Sequence, residues 1–185
     1  MTREEWLMAA TELVAPLFDG VAERNPVRVS VGFPAGRGSL RTTIGQCHYM
    51  SEDGIPQLFI HPKLTDPIKV LDVLVHELCH AYLPVGSGHG KEFGKVARAV
   101  GLEGKLTATD AGEDLRTDLE QIVEVLGEYP HAGLDAASIK KQGTRMIKCE
   151  CQDCGFVYRT TAKWLDAASG LRCPDVECYG MVTVG

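Results

Sequence analysis

The sequence predicts an α+β fold: a small antiparallel sheet packed on helices, followed by a small, mostly β module rich in cysteine. Three observations predict it. Val27, Val29 and Val31 alternate with Arg28 and Ser30, the period of a half-buried strand. Asp66-Pro67 opens a strongly apolar stretch of helical length. Five of the 7 cysteines, Cys149, Cys151, Cys154, Cys173 and Cys178, fall within the last 37 residues.

The elements follow in chain order. Residues 2 to 24 read as an amphipathic helix, with Thr2 and Glu5 at capping-box spacing and Trp6, Ala10, Leu13, Leu17 and Val21 at helical spacing. Pro16 is a kink point. Residues 27 to 31 form the first strand, and Pro34 to Gly38 a turn-rich loop. Residues 40 to 49 and Gln57 to Ile60 are the second and third strands, joined through a hairpin turn at Ser51 to Gly54. Asp66 suits the N-cap and Pro67 the first position of a helix running to about Leu83, broken by Pro84, Gly86 and Gly88. A further helix spans about Gly90 to Val100 and stops at Gly101; another spans Leu115 to Leu126 and stops at Gly127. Residues 129 to 144 carry no clear period and read as a linker. The expected organisation is therefore a domain over 1–128, a linker over 129–144 and a cysteine module over 145–185.

With 44% hydrophobic residues in 185, the chain can bury a real core. Its opening, Met-Thr-Arg-Glu-Glu-Trp, has two acids and no apolar stretch, so no secretory signal and a cytoplasmic location are expected. Residues 1 to 140 carry 13 Lys+Arg against 20 Asp+Glu, net −7, whereas residues 141 to 185 carry 6 against 5, net +1. Such an acidic body argues against non-specific nucleic-acid binding and leaves the C-terminal module as the better candidate for it.

His76-Glu77-Leu78-Cys79-His80 is an H-E-x-x-H motif on the apolar helix. Residues four apart share a helical face, so both imidazoles can reach one ion, and Glu77 is placed to take a proton from water. Three ionisable groups among Val70, Leu71, Val73, Leu74, Val75, Leu78 and Ala81 would be costly to bury without a shared cation. A catalytic zinc site needs a third ligand. Leu83 and Gly86 stand where a metzincin has Gly and His, which excludes that class. His89, after the Pro84 to Gly88 turn, is the best candidate, with Glu92 as rival and His61 as a weaker one. Asp72, four residues before His76, is a candidate to orient that imidazole. Tyr82, two residues past His80, points elsewhere on the helix. Cys47 and Cys79 read as small buried apolar residues.

His76-Glu77-Leu78-Cys79-His80-Ala81 followed by Gly88-His89-Gly90-x-x-Phe93 resembles the SprT-like zinc metallopeptidases, which include the Spartan-type DNA–protein crosslink proteases. The closer resemblance is to the short phage and bacterial members that end in a zinc ribbon. It implies a zincin-like fold, His76, His80 and His89 as zinc ligands, and Glu77 as general base. Only eight residues separate His80 from His89, a shorter spacing than in the Spartan-type proteases.

Cys151-x-x-Cys154 and Cys173-x4-Cys178 have the spacing of a four-thiolate zinc ribbon, with Cys149 competing with Cys151 for the first place. Phe156 to Thr161 reads as a strand, and Trp164 is expected to pack the small core. Arg159, Lys163 and Arg172 are candidate phosphate contacts. The expectation is a zinc endopeptidase with two zinc ions per chain, one catalytic and one structural, acting on protein substrates that include DNA-bound ones. The alternative is a non-catalytic, zinc-stabilised adaptor for nucleic acid or protein. An intact Glu77 favours the enzyme, since a purely structural metal site has no need of a base beside its ligands.

Overall fold

Thr2 caps the first helix, α1 (Arg3–Val14), in a computed structural model that describes residues 1–34, 42–49, 51–134, 146–167, 171–178 and 180–184. The capping box is complete: the Glu5 amide donates to Thr2 Oγ1 at 3.2 Å and the Thr2 amide to Glu5 Oε2 at 2.7 Å. The helix is shorter than its apolar period suggests. Pro16 has no amide to donate and crowds the carbonyl four residues back, so the chain tightens into a 3-10 turn over Ala15–Phe18.

Three short strands follow: β1 (Arg28–Val31), β2 (Gly45–His48) and β3 (Gln57–Ile60). Their order is β1-β3-β2, with β2 antiparallel to β3 but β1 parallel to it. The sheet is thus mixed, where an all-antiparallel one was expected. The reason is topological: β2 turns back through the Ser51–Gly54 turn to pair with β3, which leaves β3's other edge for β1. Of residues 40 to 49 only Gly45–His48 is strand; residues 40 and 41, and the loop beyond Pro34, lie outside the described residues.

Helix α2 (Pro67–Ala81) begins where the Asp66 side chain accepts from the Ile68 amide at 3.1 Å. Val70, Leu71, Leu74, Val75 and Leu78 are fully buried, and the helix lies against β2, β3 and a later helix. Helix α3 (Lys91–Ala99) follows, then a hairpin of β4 (Leu102–Lys105) and β5 (Ala108–Ala111), then α4 (Glu113–Leu126). One continuous core runs from Trp6 to Tyr129.

Two compact units divide the chain, Met1–Ala136 and Ala137–Gly185. Residues 129 to 134 are not a linker. Tyr129 is buried with its ring edge-on to Trp6 at 5.0 Å, the Leu134 amide donates to the Pro62 carbonyl, and His131 Nε2 lies 2.8 Å from that same oxygen. Residues 135 to 145, the rest of the expected linker, lie outside the described residues. The C-terminal unit holds β6 (Ile147–Cys151), β7 (Val157–Thr160), the short helix α5 (Ala162–Ala167) and β8 (Val182–Val184), with strand order β7-β6-β8. Trp164 is 61% exposed and packs no core; Lys163 Nζ sits 5.3 Å from its ring centre. No helix among the described residues is long and apolar enough to cross a membrane.

Candidate metal centres and active-site cleft

His76 and His80 project from one face of α2, one turn apart, as the four-residue spacing requires. The chain then leaves the helix through Pro84 to Gly88. Gly86 and Gly88 adopt φ of +88° and +50°, a backbone that side-chain-bearing residues rarely take, so the loop can reverse within a few residues. The reversal returns His89 over the helix, just before α3 begins. His89 Nε2 ends 3.3 Å from His76 Nε2 and 3.2 Å from His80 Nε2. All three ligand atoms lie within 4.8 Å of one another. Phe93, fully buried on the first turn of α3, floors the cluster, with its ring stacked on His80 at 4.3 Å and 5.0 Å from His76.

Three nitrogens at this spacing fit a metal ion. A tetrahedral centre with Zn–N bonds of about 2.0–2.1 Å separates its ligand nitrogens by about 3.3 Å. The electrostatics agree. Burial, reinforced by neighbouring positive charge, pulls His76 down to about 4 and His80 to about 3, and burial lowers His89 too. The imidazoles are therefore neutral at pH 7, the form that offers a lone pair to a metal.

Glu77 is 5% exposed and is packed towards β2. A β-carbon on Gly45 would stand 2.5 Å from its Oε1, so the glycine is what admits the carboxylate. Burial pushes Glu77 up to about 8. In this protein alone it would be largely protonated at pH 7; a cation at the histidines favours the carboxylate form. Sequence reasoning did not single out Gly45. Its signal is only a glycine at the head of a strand.

A cleft of about 810 Å³ opens above these groups. One wall is β2 with its flanks, including Thr43, Gly45, Cys47 and Tyr49; the other is the β4–β5 turn and β5, from Thr107 to Asp110. Tyr49 donates its hydroxyl to the His80 carbonyl at 2.5 Å. Cys47 is half-buried in the wall, where burial pushes its thiol up to about 11, whereas Cys79 is wholly buried. Asp72 does not orient His76. It is buried and accepts from Lys69 Nζ at 2.6 Å, and Lys69 also reaches Asp110 at 2.6 Å. The group at His76 Nδ1 is Thr109 Oγ1, 2.7 Å away, on a hairpin that sequence reasoning left unassigned. Neither rival ligand joins the cluster. Glu92 is exposed on α3, and His61 is buried elsewhere, with its Nδ1 accepting from the Lys63 amide at 3.0 Å. Tyr82 points away and packs edge-on to Phe18.

The C-terminal unit gathers a second group. The sulfurs of Cys151, Cys154, Cys173 and Cys178 lie within 4.8 Å of one another, with Cys151–Cys178 at 3.6 Å and Cys154–Cys173 at 3.5 Å. Zn–S bonds of about 2.3 Å in a tetrahedron give about 3.8 Å, so four thiolates would close round such an ion with little movement. The Cys154 amide foremost, with the Asp153 amide, pulls the Cys151 thiol down to about 7 and favours the thiolate there, whereas Cys173 and Cys178 beside it are raised. Cys149 is buried outside this group. Arg159, Lys163 and Arg172 are all exposed.

The family model for the SprT-like family matches residues 11–111, just over half of the chain. That span contains the histidine cluster, Glu77, β2 and the β4–β5 hairpin, and ends before the cysteine group. Searches of curated proteins and of solved structures returned no significant match.

Proposed function

The chain belongs to the SprT-like family, and from that premise we propose that it is a zinc-dependent endopeptidase with a zincin-type active site. The observation that carries the reading is the convergence of three neutral imidazoles beside a buried carboxyl, at the foot of a cleft walled by β2, the last strand of its sheet among the described residues. His76, His80 and His89 would hold the ion. Bound zinc supplies a Lewis acid that polarises a carbonyl and makes water acidic near neutral pH.

The remaining chemistry belongs to the chain. Glu77 takes the proton of the attacking water on a carboxylate oxygen and passes it to the leaving amine. Its burial against Gly45, beside Val73, fixes that oxygen and keeps bulk water from competing. Strand β2 is paired with β3 on one side, and its residues Gly45 to Cys47 line the cleft. An extended peptide can add there as a further strand through main-chain hydrogen bonds, which select an unfolded segment over a side-chain sequence. The substrate class is thus flexible protein, DNA-bound protein included.

The cysteine group would be a structural zinc ribbon, giving two zinc ions per chain. Arg159, Lys163 and Arg172 are its candidate contacts to nucleic-acid phosphate. The test is metal content and peptidase activity on the full chain. Glu77→Gln should keep both ions and lose cleavage of an unstructured protein. His89→Ala should lose one ion, and Glu92→Ala neither. A Glu77→Gln variant that loses zinc together with activity would move Glu77 into the ligand set. A wild type that holds zinc but cleaves nothing would favour the adaptor.

A further inference from the structure

We propose that Thr109 is a positioning residue for the histidine centre: its hydroxyl accepts the Nδ1 proton of His76 and holds that ring with the Nε2 lone pair open towards His80 and His89. The inference rests on the reading of the three histidines as metal ligands, and it concerns what makes one of them fit to bind.

A neutral imidazole has one ring proton to place. On Nε2 that proton would point into the cluster, 3.3 Å from His89 Nε2, and block ligation. On Nδ1 it meets Thr109 Oγ1 at 2.7 Å, and Nε2 is left free. The partner at the far nitrogen therefore chooses the tautomer and fixes the ring plane.

Thr109 can do this because it does not move freely. It sits within β5, opposite Gly104 of β4, and is almost completely buried, so water competes little for the imidazole proton. Threonine is stiff at χ1 because it is β-branched. The next residue, Asp110, is held by Lys69, which also grips the buried Asp72. Lys69, Asp72 and His76 lie at i, i+3 and i+7, along one stripe of α2. Polar links from Thr109 and from its neighbour Asp110 thus tie β5 to the same helix face that presents the ligand.

The experiment uses the full chain and follows the zinc ion that His76→Ala removes, by competition with a chromogenic chelator. Thr109→Val deletes the hydroxyl at nearly constant shape and should weaken that zinc by about 10- to 100-fold. Thr109→Ser keeps an oxygen and should restore affinity to within about threefold of wild type. Wild-type affinity in Thr109→Val, or equal loss in the serine and valine variants, overturns the proposal. Long-range 15N–1H NMR of the metal-free wild type adds a check that needs no variant: the His76 proton is expected on Nδ1, and a proton on Nε2 refutes the assignment. The underlying reading fails separately. If His76→Ala leaves zinc content unchanged, there is no ion for Thr109 to serve. If His76→Ala loses zinc and Thr109→Val does not, only the positioning role falls.

Discussion

Glu77 has opposite consequences with and without a cation beside it. Its carboxyl is raised from an ordinary value of 4.5 to about 8 by burial. Between those two values the folded protein holds a proton that the unfolded chain releases, so this group makes stability fall as pH rises from about 4.5 to 8, then level off. At about 1.4 kcal/mol per pKa unit, the cost at pH 8 is on the order of a few kcal/mol. His76 and His80 act the other way. Their lowered values mean the unfolded chain takes protons first, so their contribution is lost as pH falls from about 6.5 towards 3. Both histidines remain in Glu77→Gln, so they cancel when it is compared with wild type. Metal-free Glu77→Gln should therefore be more stable than wild type, by a margin that opens between pH 5 and pH 8. Zinc should shrink the margin, because it favours the charged carboxylate. Urea unfolding at several pH values with a chelator present measures this, with Trp6 fluorescence reporting on the first unit in a Trp164→Phe background. A margin that is flat with pH would mean that Glu77 is not raised by burial.

The elements differ in how legible they were. Helix α2 could be read because its signals are local: Asp66 at the cap, Pro67 at the first position and an apolar run behind them. The spacing of His76 and His80 then followed from helix geometry alone. The approach of His89 needed only a tight reversal, which Gly86 and Gly88 announce. The direction of β1 could not be read, because alternation reports which face is buried and says nothing of the neighbour's polarity. The β4–β5 hairpin was missed because Leu-Glu-Gly-Lys and Ala-Thr-Asp-Ala lack the β-branched alternation of strands, and Leu106-Thr107 lacks a glycine or asparagine turn signal. It is held by pairing and by the links from Lys69 and His76, which no local pattern reveals. Thr109 and Gly45 escaped for the same reason: each matters through a residue distant in sequence. Gly45 yields the test at this scale. A methyl group there would press on Glu77 Oε1 and on Val73, so Gly45→Ala should displace the carboxyl while leaving the histidines in place. The expected result is a fall of about 10²-fold in kcat/KM with zinc content unchanged. A folded Gly45→Ala chain with wild-type kinetics would show that the carboxyl has room to spare and that this strand does not set its position.

At the scale of the whole molecule, the question is what the cysteine unit adds. The core from Trp6 to Tyr129, the three histidines and Glu77 all belong to Met1–Ala136, and Leu134 is tied to Pro62 within it. A chain ending at Ala136 should therefore fold, hold one zinc and cleave a disordered protein slowly. Charge sets the terms for nucleic acid. Residues 1 to 140 carry net −7, which repels a polyanion, and residues 141 to 185 carry +1. Four thiolates with one zinc ion add about −2 to the second unit, so its net charge alone attracts no DNA. Binding would have to come from a local patch, and Arg159, Lys163 and Arg172 are exposed to make one, with the open Trp164 ring beside Lys163 as a surface on which a base can stack. If they engage phosphate, the full chain should bind single-stranded DNA more tightly than the truncation at low salt. The advantage should shrink as salt rises, with a slope of log affinity against log salt of about −2 for three contacts. Neutralising the three side chains together should remove that slope and leave zinc content and cleavage of free protein untouched. Equal affinity in full and truncated chains at every salt concentration would return the cysteine unit to a purely structural role, and failure of the truncation to hold its zinc would show that the two units fold as one.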